Sequence, residues 1–258
     1  MYEVTQSVET LRQRVPELPD TCMVLGSGWN SVMKEVELEL ELSYEELFGV
    51  KASVPGHVGK LVIGRLEGKR IACMVGRLHT YEGYTSEEVT RPVQALANLG
   101  LKRVILTAAA GGLCPDYQVG DFVVMNDMIT AFCESPLTGP QFIDLSAAFD
   151  PQLGDNALKL ARHLGYSAHQ GVYCFVRGPH FETPIDKRLY RQLGADVVGM
   201  SVVPETIMAR SLGVKVLSIA FVTNLAFVVH AHEDVLAAAR AGSENMSMLL
   251  SEIISSLE

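Results

Sequence analysis

The chain has 258 residues, 48% of them hydrophobic and 20% charged, which is enough to bury one sizeable core. The formal net charge of −9 and the pI near 5.3 argue against a nucleic acid or an anionic membrane surface as partner, because both require a basic face. An acidic chain can still bind a small anion through a local cluster of positive groups.

The cysteines and the apolar runs indicate where in the cell the protein is located. The five cysteines are an odd number and form no CxxC pair, and several lie in apolar runs as reduced core cysteines do. The N-terminus has no apolar signal-peptide core, and no apolar run reaches the roughly 18–20 residues of a membrane-spanning helix. We therefore expect a cytoplasmic protein that does not enter a membrane.

The first part of the chain is predicted to be rich in strands. A buried strand over 21–28 ends in glycines, and the strict alternation of 36–42 indicates a strand with one solvated face. Two further strands flank the turn at 67–69, which is a hairpin signal. A capping box at 85–88 starts a helix that runs to Gly100.

The remainder alternates strands and helices. Apolar strands are predicted at 103–112, 120–129, 171–178, 195–200 and 215–224. Helices are predicted at 150–165, from 183, before 213, and from 232 to the C-terminus. The pattern predicts one α/β domain over residues 1–258, with a central mixed, largely parallel sheet flanked by helices.

Unusual residues collect where the predicted strands end. In sheets of this kind, ligands bind beyond the carboxyl ends of the strands. The residues at those ends are Ser27, Arg77, His79, Ala109 to Gly112, Phe181, Glu182, Met200, Ser201, Thr223 and Asn224. Their clustering indicates a site more strongly than any single motif does.

The motif Gly26-Ser27-Gly28 has two interpretations. Glycines after a buried strand let backbone N–H groups face an anion, but the same motif is also an ordinary tight turn. A dinucleotide fingerprint would require glycine at position 31, which is Ser31. A nicotinamide-dependent oxidoreductase is therefore disfavoured.

The stretch GRLHTYEGY, residues 76–84, concentrates polar and aromatic groups between glycines. Arg77 offers a fork of donors suited to phosphate, and in an extended segment His79 and Tyr81 would point to the same side. Glu82 would alternate away and could orient Arg77 or His79 after a bend. The alternative is a surface salt bridge with an aromatic anchor.

Seven motifs occur in one order over nearly the whole chain: GSG, VPGHVGKLV, GRLHTYEGY, TAAAGGL, GPHFET, GADVVGMSVVPE and VTN. Together they resemble the trimeric, low-molecular-mass class of purine nucleoside phosphorylases. That family uses inorganic phosphate to cleave the N-glycosidic bond of purine nucleosides, giving a free purine and ribose 1-phosphate. The resemblance implies reversible phosphorolysis of inosine, guanosine and their deoxy forms in a homotrimer. It implies phosphate as co-substrate and no cofactor.

The resemblance also implies a role for each matching position. The phosphate site would consist of Ser27, His57, Arg77, His79, the backbone at Ala109, and Ser201. Tyr81, Met200 and His232 would contact the ribose, with His230 as the competitor of His232. Phe181, Glu182, Thr223 and Asn224 would bind the base. Phe142 would reach the neighbouring subunit's site.

The implied chemistry agrees with physical expectation. Glycosidic cleavage passes through an oxocarbenium-like state, and here phosphate would be the nucleophile. The implied catalytic residues are Asn224, Glu182 and His79. Asn224 would donate to purine N7, and Glu182 would accept from N1–H of a 6-oxopurine. No metal is expected, because His230 and His232 have no evident third ligand.

Departures from the resemblance and two alternatives stay open. The chain has Ala108 where the family often has asparagine, His180 in the GPHFET loop, and Trp29 where an aliphatic residue is usual. The loops before Phe142 and before His232 are short. The alternatives are a methylthioadenosine phosphorylase of the same superfamily and a nucleoside-binding protein that has lost catalysis.

Overall fold

Residues 4–51, 58–228 and 231–257 are described by the computed structural model. The strands are β1 (Thr21–Leu25), β2 (Glu37–Ser43), β3 (Lys60–Leu66), β4 (Lys69–Val75), β5 (Arg103–Gly112), β6 (Phe122–Ile129), β7 (Ala168–Phe175), β8 (Val197–Gly199) and β9 (Lys215–Leu225). The helices are α1 (Val4–Arg14), α2 (Tyr44–Phe48), α3 (Ser86–Ala97), α4 (Pro151–His163), α5 (Pro184–Gln192), α6 (Val203–Ser211), α7 (His232–Ala241) and α8 (Ser243–Ser256). Two 3-10 turns cover Trp29–Lys34 and Thr80–Glu82.

These elements form one mixed sheet flanked by helices, which confirms the predicted α/β fold. The strand order is β2-β3-β4-β1-β5-β8-β7-β6-β9, with five parallel and four antiparallel pairings among the described strands. Strand β9 also pairs with β5, so β5, β8, β7, β6 and β9 close into a ring. The other four strands extend from β5 as an open sheet.

Strand β5 changes partners along one of its edges. Its residues 103–106 pair with β1, and its residues 111–112 pair with β8, while β9 follows the opposite edge throughout. Within the described residues, no strand pairs with residues 107–110 on the first edge. Such a change of partners is a topological switch point, where α/β sheets bind ligands.

Local signals in the sequence fix several element ends. The β3–β4 turn contains Glu67 and Gly68, both at positive φ (51° and 73°), as a tight hairpin turn requires. At the start of α5, the hydroxyl of Thr183 accepts from the N–H of Asp186, 3.2 Å away. The same reciprocal capping starts α3.

The C-terminal region was predicted as a helical run and is two helices with a break at Gly242. A Cβ at Gly242 would lie 2.1 Å from the ring of Phe221, so only glycine fits at this close approach. The helices α1 and α2 and both 3-10 turns were not predicted. None of the described helices combines the length and the apolar character required to cross a bilayer.

Candidate active site

A cavity of about 500 Å³ lies beside residues 108–110 of β5, where no described strand pairs with the edge opposite β9. Its walls are β5, the ends of β8 and β9, and the segments that follow β1, β4, β7 and β8. The structure brings eleven of the predicted site residues to this cavity: Ser27, Arg77, His79, Tyr81, Ala109, Phe181, Glu182, Met200, Ser201, Thr223 and Asn224.

Four predicted site residues are not among the described residues that line the cavity. Phe142 lies on the connection between β6 and α4 and is 94% exposed. His57 and His230 fall outside the described residues, and so does the side chain of His232. Val235 of α7 lines the cavity, which brings this helix to the site.

Arg77 is a buried cation with several acceptors around it. Its Nη1 donates to the carbonyl of Thr107 (2.5 Å) and to Oγ of Ser201 (3.3 Å), and its Nε donates to Oε1 of Glu205 (3.1 Å). The side chains of Arg77 and Glu205 are each 2% exposed. The guanidinium is therefore held at the edge of β5 that faces the cavity, and its Nε side is paired with a carboxylate.

His79 is oriented by Glu82 through the short 3-10 turn. Oε1 of Glu82 lies 3.1 Å from Nδ1 of His79 and 2.9 Å from its backbone nitrogen. Since an ionised carboxylate only accepts, Nδ1 carries the proton and Nε2 is the acceptor in the neutral ring. The Tyr81 ring stacks on the imidazole with centroids 4.6 Å apart. The bend thus returns Glu82 to His79, whereas an extended segment would point it away.

Burial sets the protonation state of His79. Desolvation lowers the pKa of the imidazole, and the nearby Arg77 cation lowers it further, while the hydrogen bond to Glu82 acts in the opposite direction. The net direction is downward, so the ring is neutral near pH 7. Neutral His79 presents Nε2 as an acceptor for a protonated oxygen.

On the edge of β5 opposite β9, contacts from Trp29 and Gly26 take the place of a paired strand within the described residues. The indole N–H of Trp29 donates to the carbonyl of Ala108 (3.1 Å), and the N–H of Gly26 donates to Oγ1 of Thr107 (3.0 Å). A Cβ at Gly26 would lie 2.6 Å from the carbonyl oxygen of Thr107, so the turn after β1 can approach β5 this closely only with glycine. Ser27 follows directly and faces the cavity.

The floor of the cavity near Ser201 rests on a buried tyrosine. Oη of Tyr173 accepts from the backbone N–H of Ser201 at 3.3 Å, and burial raises the pKa of this phenol to about 12. A Cβ at Gly199 would lie 2.2 Å from the same oxygen. The phenol therefore stays protonated at neutral pH and packs directly beneath the β8 end.

Asn224 is oriented by its neighbour. The single hydroxyl hydrogen of Thr223 is shared between Oδ1 of Asn224 (3.1 Å) and the carbonyl of Ala110 (3.4 Å), and the amide oxygen is the nearer acceptor. With Oδ1 taken as an acceptor, Nδ2 lies on the other side, 3.2 Å from the Cβ position above Gly111. Glu182 and the partly exposed Phe181 line the same cavity.

The chain was compared with known proteins. The sequence model of the phosphorylase superfamily matches residues 21–255. Purine nucleoside phosphorylase 1 of Bacillus subtilis is 40% identical over 232 residues, which are 86% of this chain and 85% of that protein.

This chain belongs to the purine nucleoside phosphorylases.

Solved structures of the family agree with this assignment. A Schistosoma purine nucleoside phosphorylase in complex with hypoxanthine superposes with a TM-score of 0.92 at 31% identity, covering 99% of this chain and 97% of that one. The Schistosoma mansoni enzyme in complex with adenosine gives a TM-score of 0.90 at 32% identity, with the same coverage of both chains. The chain is therefore an enzyme of this family, as its ordered motifs predicted.

Glu205 and Tyr173 were not predicted as parts of the site. The sequence interpretation gave Glu82 as the carboxylate for both Arg77 and His79, but Arg77 pairs with Glu205, 128 residues away. Pro204-Glu205 at the start of a helix is a capping signal that could have singled out Glu205. Nothing in the local sequence marks Tyr173, because its contact with Ser201 depends on the packing of β7 beside β8.

Proposed function

We propose that this phosphorylase catalyses the reversible phosphorolysis of 6-oxopurine nucleosides, inosine and guanosine and their 2′-deoxy forms, to the purine and (deoxy)ribose 1-phosphate. One observation carries the proposal: a single cavity holds a buried arginine in contact with Ser201 and is also lined by the amide of Asn224 and the carboxylate of Glu182. Arg77 contacts β5 at Thr107, and Asn224 lies beside Gly111. Four residues along a strand span about 13 Å, which leaves room for an anion and a nucleoside side by side.

The proposed phosphate site is the Arg77 end. The side chains of Ser27, Arg77 and Ser201 supply donors there, and the backbone at Ala109 lines the same wall. The resemblance also assigns His57, which lies outside the described residues, to this site. Neutral His79 would accept through Nε2 from a protonated phosphate oxygen. The bound anion then lies where its charge stabilises the ribosyl cation and its oxygen attacks C1′.

The proposed leaving-group site is the Asn224 end. As the glycosidic bond breaks, electrons move onto the purine, and a hydrogen bond from Nδ2 of Asn224 to N7 stabilises the added charge. The Thr223 hydroxyl favours this function because its hydrogen bond to Oδ1 leaves the Nδ2 donor of Asn224 for the purine. Phe181 would stack on the base, and Tyr81, Met200 and His232 (or its competitor His230) would contact the ribose.

The proposed preference for 6-oxopurines depends on Glu182. Its carboxylate would accept from N1–H and the 2-amino group, whereas N1 of adenosine is itself an acceptor. No cofactor or metal takes part in the proposed reaction, in which phosphate is the co-substrate. The reaction and the five free cysteines favour a cytoplasmic location.

The proposed assembly is a homotrimer in which Phe142 enters the neighbouring subunit's site. Exposed apolar side chains support it, since Phe142 is 94% exposed and Ile185 of α5 is 68% exposed. Phe132, on the Phe142 loop, packs against Tyr190 of α5 with ring centroids 5.3 Å apart. Loop and helix therefore form adjacent parts of one apolar surface that an assembly would cover.

The test is hypoxanthine release from inosine with and without phosphate, with guanosine, adenosine and methylthioadenosine in parallel. We expect phosphate-dependent cleavage of inosine and guanosine, and a loss of about 100- to 1,000-fold in kcat for Asn224→Ala. Asn98→Ala, in the exposed C-cap of α3, is the matched control and should keep full activity.

Three outcomes would contradict parts of the proposal. Preferential cleavage of methylthioadenosine would favour the alternative phosphorylase and contradict the role of Glu182. Cleavage without phosphate would make the enzyme a hydrolase. Tight nucleoside binding with no turnover would leave a binding protein.

A further inference from the structure

The environment of Arg77 contains a carboxylate that has no role in the proposed chemistry. Glu205 is the third residue of α6 and is 1% exposed. Charged groups are rarely buried to this extent unless they are paired. Its pairing therefore indicates what it does.

The two oxygens of Glu205 hold two different segments. Oε1 accepts from Nε of Arg77 at 3.1 Å, and Oε2 accepts from the backbone N–H of Val202 at 2.9 Å. Arg77 follows β4, whereas Val202 follows Ser201 at the end of β8. One carboxylate thus joins the two segments that carry the proposed phosphate donors.

The second segment adopts a backbone conformation that needs support. Val202 has φ +60°, which a β-branched residue rarely adopts. Residues in such conformations persist where surrounding contacts determine them, and they concentrate at functional sites. The contacts here are the bond from Val202 to Glu205 and two bonds onto the Val202 carbonyl from Thr206, at 2.8 Å to N and 2.7 Å to Oγ1.

The turn at Val202 determines where Ser201 lies. The Ser201 hydroxyl accepts from Nη1 of Arg77 at 3.3 Å, so the two proposed phosphate ligands touch each other, while Glu205 bonds Arg77 and the residue after Ser201. Glu205 accepts from the Nε side of the guanidinium, and the Nη groups reach Ser201 at the cavity and the backbone carbonyls of Thr107 and Val24. A shift of either segment would separate Arg77 from Ser201.

We propose that Glu205 is a positioning residue that holds Arg77 and Ser201 at the spacing that binds phosphate. The inference rests on the proposed function, because it assigns the anion to these two residues. Glu205 itself touches neither phosphate nor nucleoside. Its loss should weaken phosphate binding more than nucleoside binding.

The primary test is Glu205→Gln. A glutamine has one acceptor oxygen and one NH₂ group, so it can accept from Arg77 or from Val202 but opposes the other donor. We expect the KM for phosphate to rise about 10- to 100-fold, from the loss of a hydrogen bond to a charged group. The KM for inosine at saturating phosphate should change far less. Glu88→Gln, which alters an exposed carboxylate in the α3 capping box, is the control and should leave both constants unchanged.

Two further variants keep the test decisive if Glu205→Gln folds poorly. Glu205→Asp keeps the charge but is too short to reach both donors, and it should also raise the KM for phosphate selectively. The Arg77→Lys variant lacks the Nε donor. In that background, Glu205→Asp should raise the KM for phosphate by a smaller factor than in the wild type, because residues in one network do not act additively. Equal effects in both backgrounds would overturn the link through Arg77.

Thermal unfolding with increasing inorganic phosphate separates the two levels of the proposal. Phosphate should raise the Tm of the wild type and raise that of the Glu205 variants less. If wild-type Tm and activity do not depend on phosphate, the proposed function fails. If they do, but the Glu205 variants match the wild type, or lose phosphate and inosine affinity equally, the positioning role of Glu205 is overturned.

Discussion

Trp29 donates its indole N–H to the carbonyl of Ala108 across 3.1 Å, joining residues that are 79 positions apart in the chain. The indole is fully buried and packs edge-on against Phe122. The indole N–H therefore holds the backbone of β5 at residue 108, where no described strand pairs with β5 on the edge opposite β9.

Replacing the indole should therefore destabilise the protein. Trp29→Phe removes the donor and leaves the buried Ala108 carbonyl without it, so we expect the free energy of unfolding to fall by about 2–3 kcal/mol. Urea denaturation followed by circular dichroism, at one protein concentration, measures this. Tyr166→Phe is the matched control, because its ring also packs on Phe122 while its hydroxyl is at the surface. Equal stability of the two variants would mean that the indole hydrogen bond contributes nothing.

The hydroxyl of Thr223 should matter for catalysis through Asn224. Thr223→Val keeps the shape but loses the donor to Oδ1, so the amide can rotate and present oxygen to the purine. We expect kcat/KM for inosine to fall about 10-fold, as for one hydrogen bond of 1–1.5 kcal/mol. Thr223→Ser keeps the hydroxyl and should retain most activity. Full activity of Thr223→Val, or a loss in Thr223→Ser as large as that in Thr223→Val, would contradict a specific role of the hydroxyl.

The buried His79 should make stability depend on pH. Because its pKa in the folded protein is lowered, chiefly by desolvation, the unfolded chain takes up a proton first as pH falls. This contribution to stability is fully present above the ordinary histidine pKa of about 6.5 and is lost as pH falls through the folded-state value.

The prediction is tested by the difference in unfolding free energy between about pH 7.5 and pH 5.5. His79→Gln should reduce that difference relative to the wild type. His163→Gln, at the exposed C-terminal end of α4, should leave it unchanged. A wild-type pH dependence in His79→Gln would show that other groups cause it.

Mixed assemblies test whether Phe142 acts in the neighbouring site. Phe142→Ala and Asn224→Ala should each lower inosine phosphorolysis, the second far more. After joint unfolding and refolding, a hybrid trimer contains sites in which the Phe142→Ala subunit supplies Asn224 and its neighbour supplies Phe142. We expect the mixture to exceed the summed activity of the separately refolded variants. Activity equal to that sum, or a monomeric mass by light scattering, would contradict the shared site.

Local signals made much of the fold predictable. The hairpin at Glu67-Gly68 and the caps at Thr85 and Thr183 depend on residues close in sequence, so the sequence alone places them. The closure of β9 onto β5 depends on pairing between strands about a hundred residues apart, such as Arg103 with Lys215. Apolar patterning marks both strands as buried, but it does not specify their partners.

The site divides in the same way. The sequence analysis grouped the cavity-lining residues because each lies at or just after the predicted carboxyl end of a strand. Glu82 was expected to orient Arg77 or His79 after a bend, and the 3-10 turn Thr80–Glu82 is that bend, which brings Glu82 to His79. The pairing of Arg77 with Glu205 depends on how β4 and α6 pack, which the local sequence around either residue does not encode.

The edge of β5 with which no described strand pairs at residues 107–110 has a consequence for aggregation. Exposed strand edges recruit strands from other chains, and natural proteins protect such edges with bulges, charges or covering segments. Here the unpaired edge at 107–110 lies inside a cavity, with Arg77 and Trp29 already bonded to its carbonyls. An extended peptide backbone cannot enter far enough to pair with it, whereas a small molecule can. The fold therefore keeps an open strand edge for its ligand without offering that edge to aggregation.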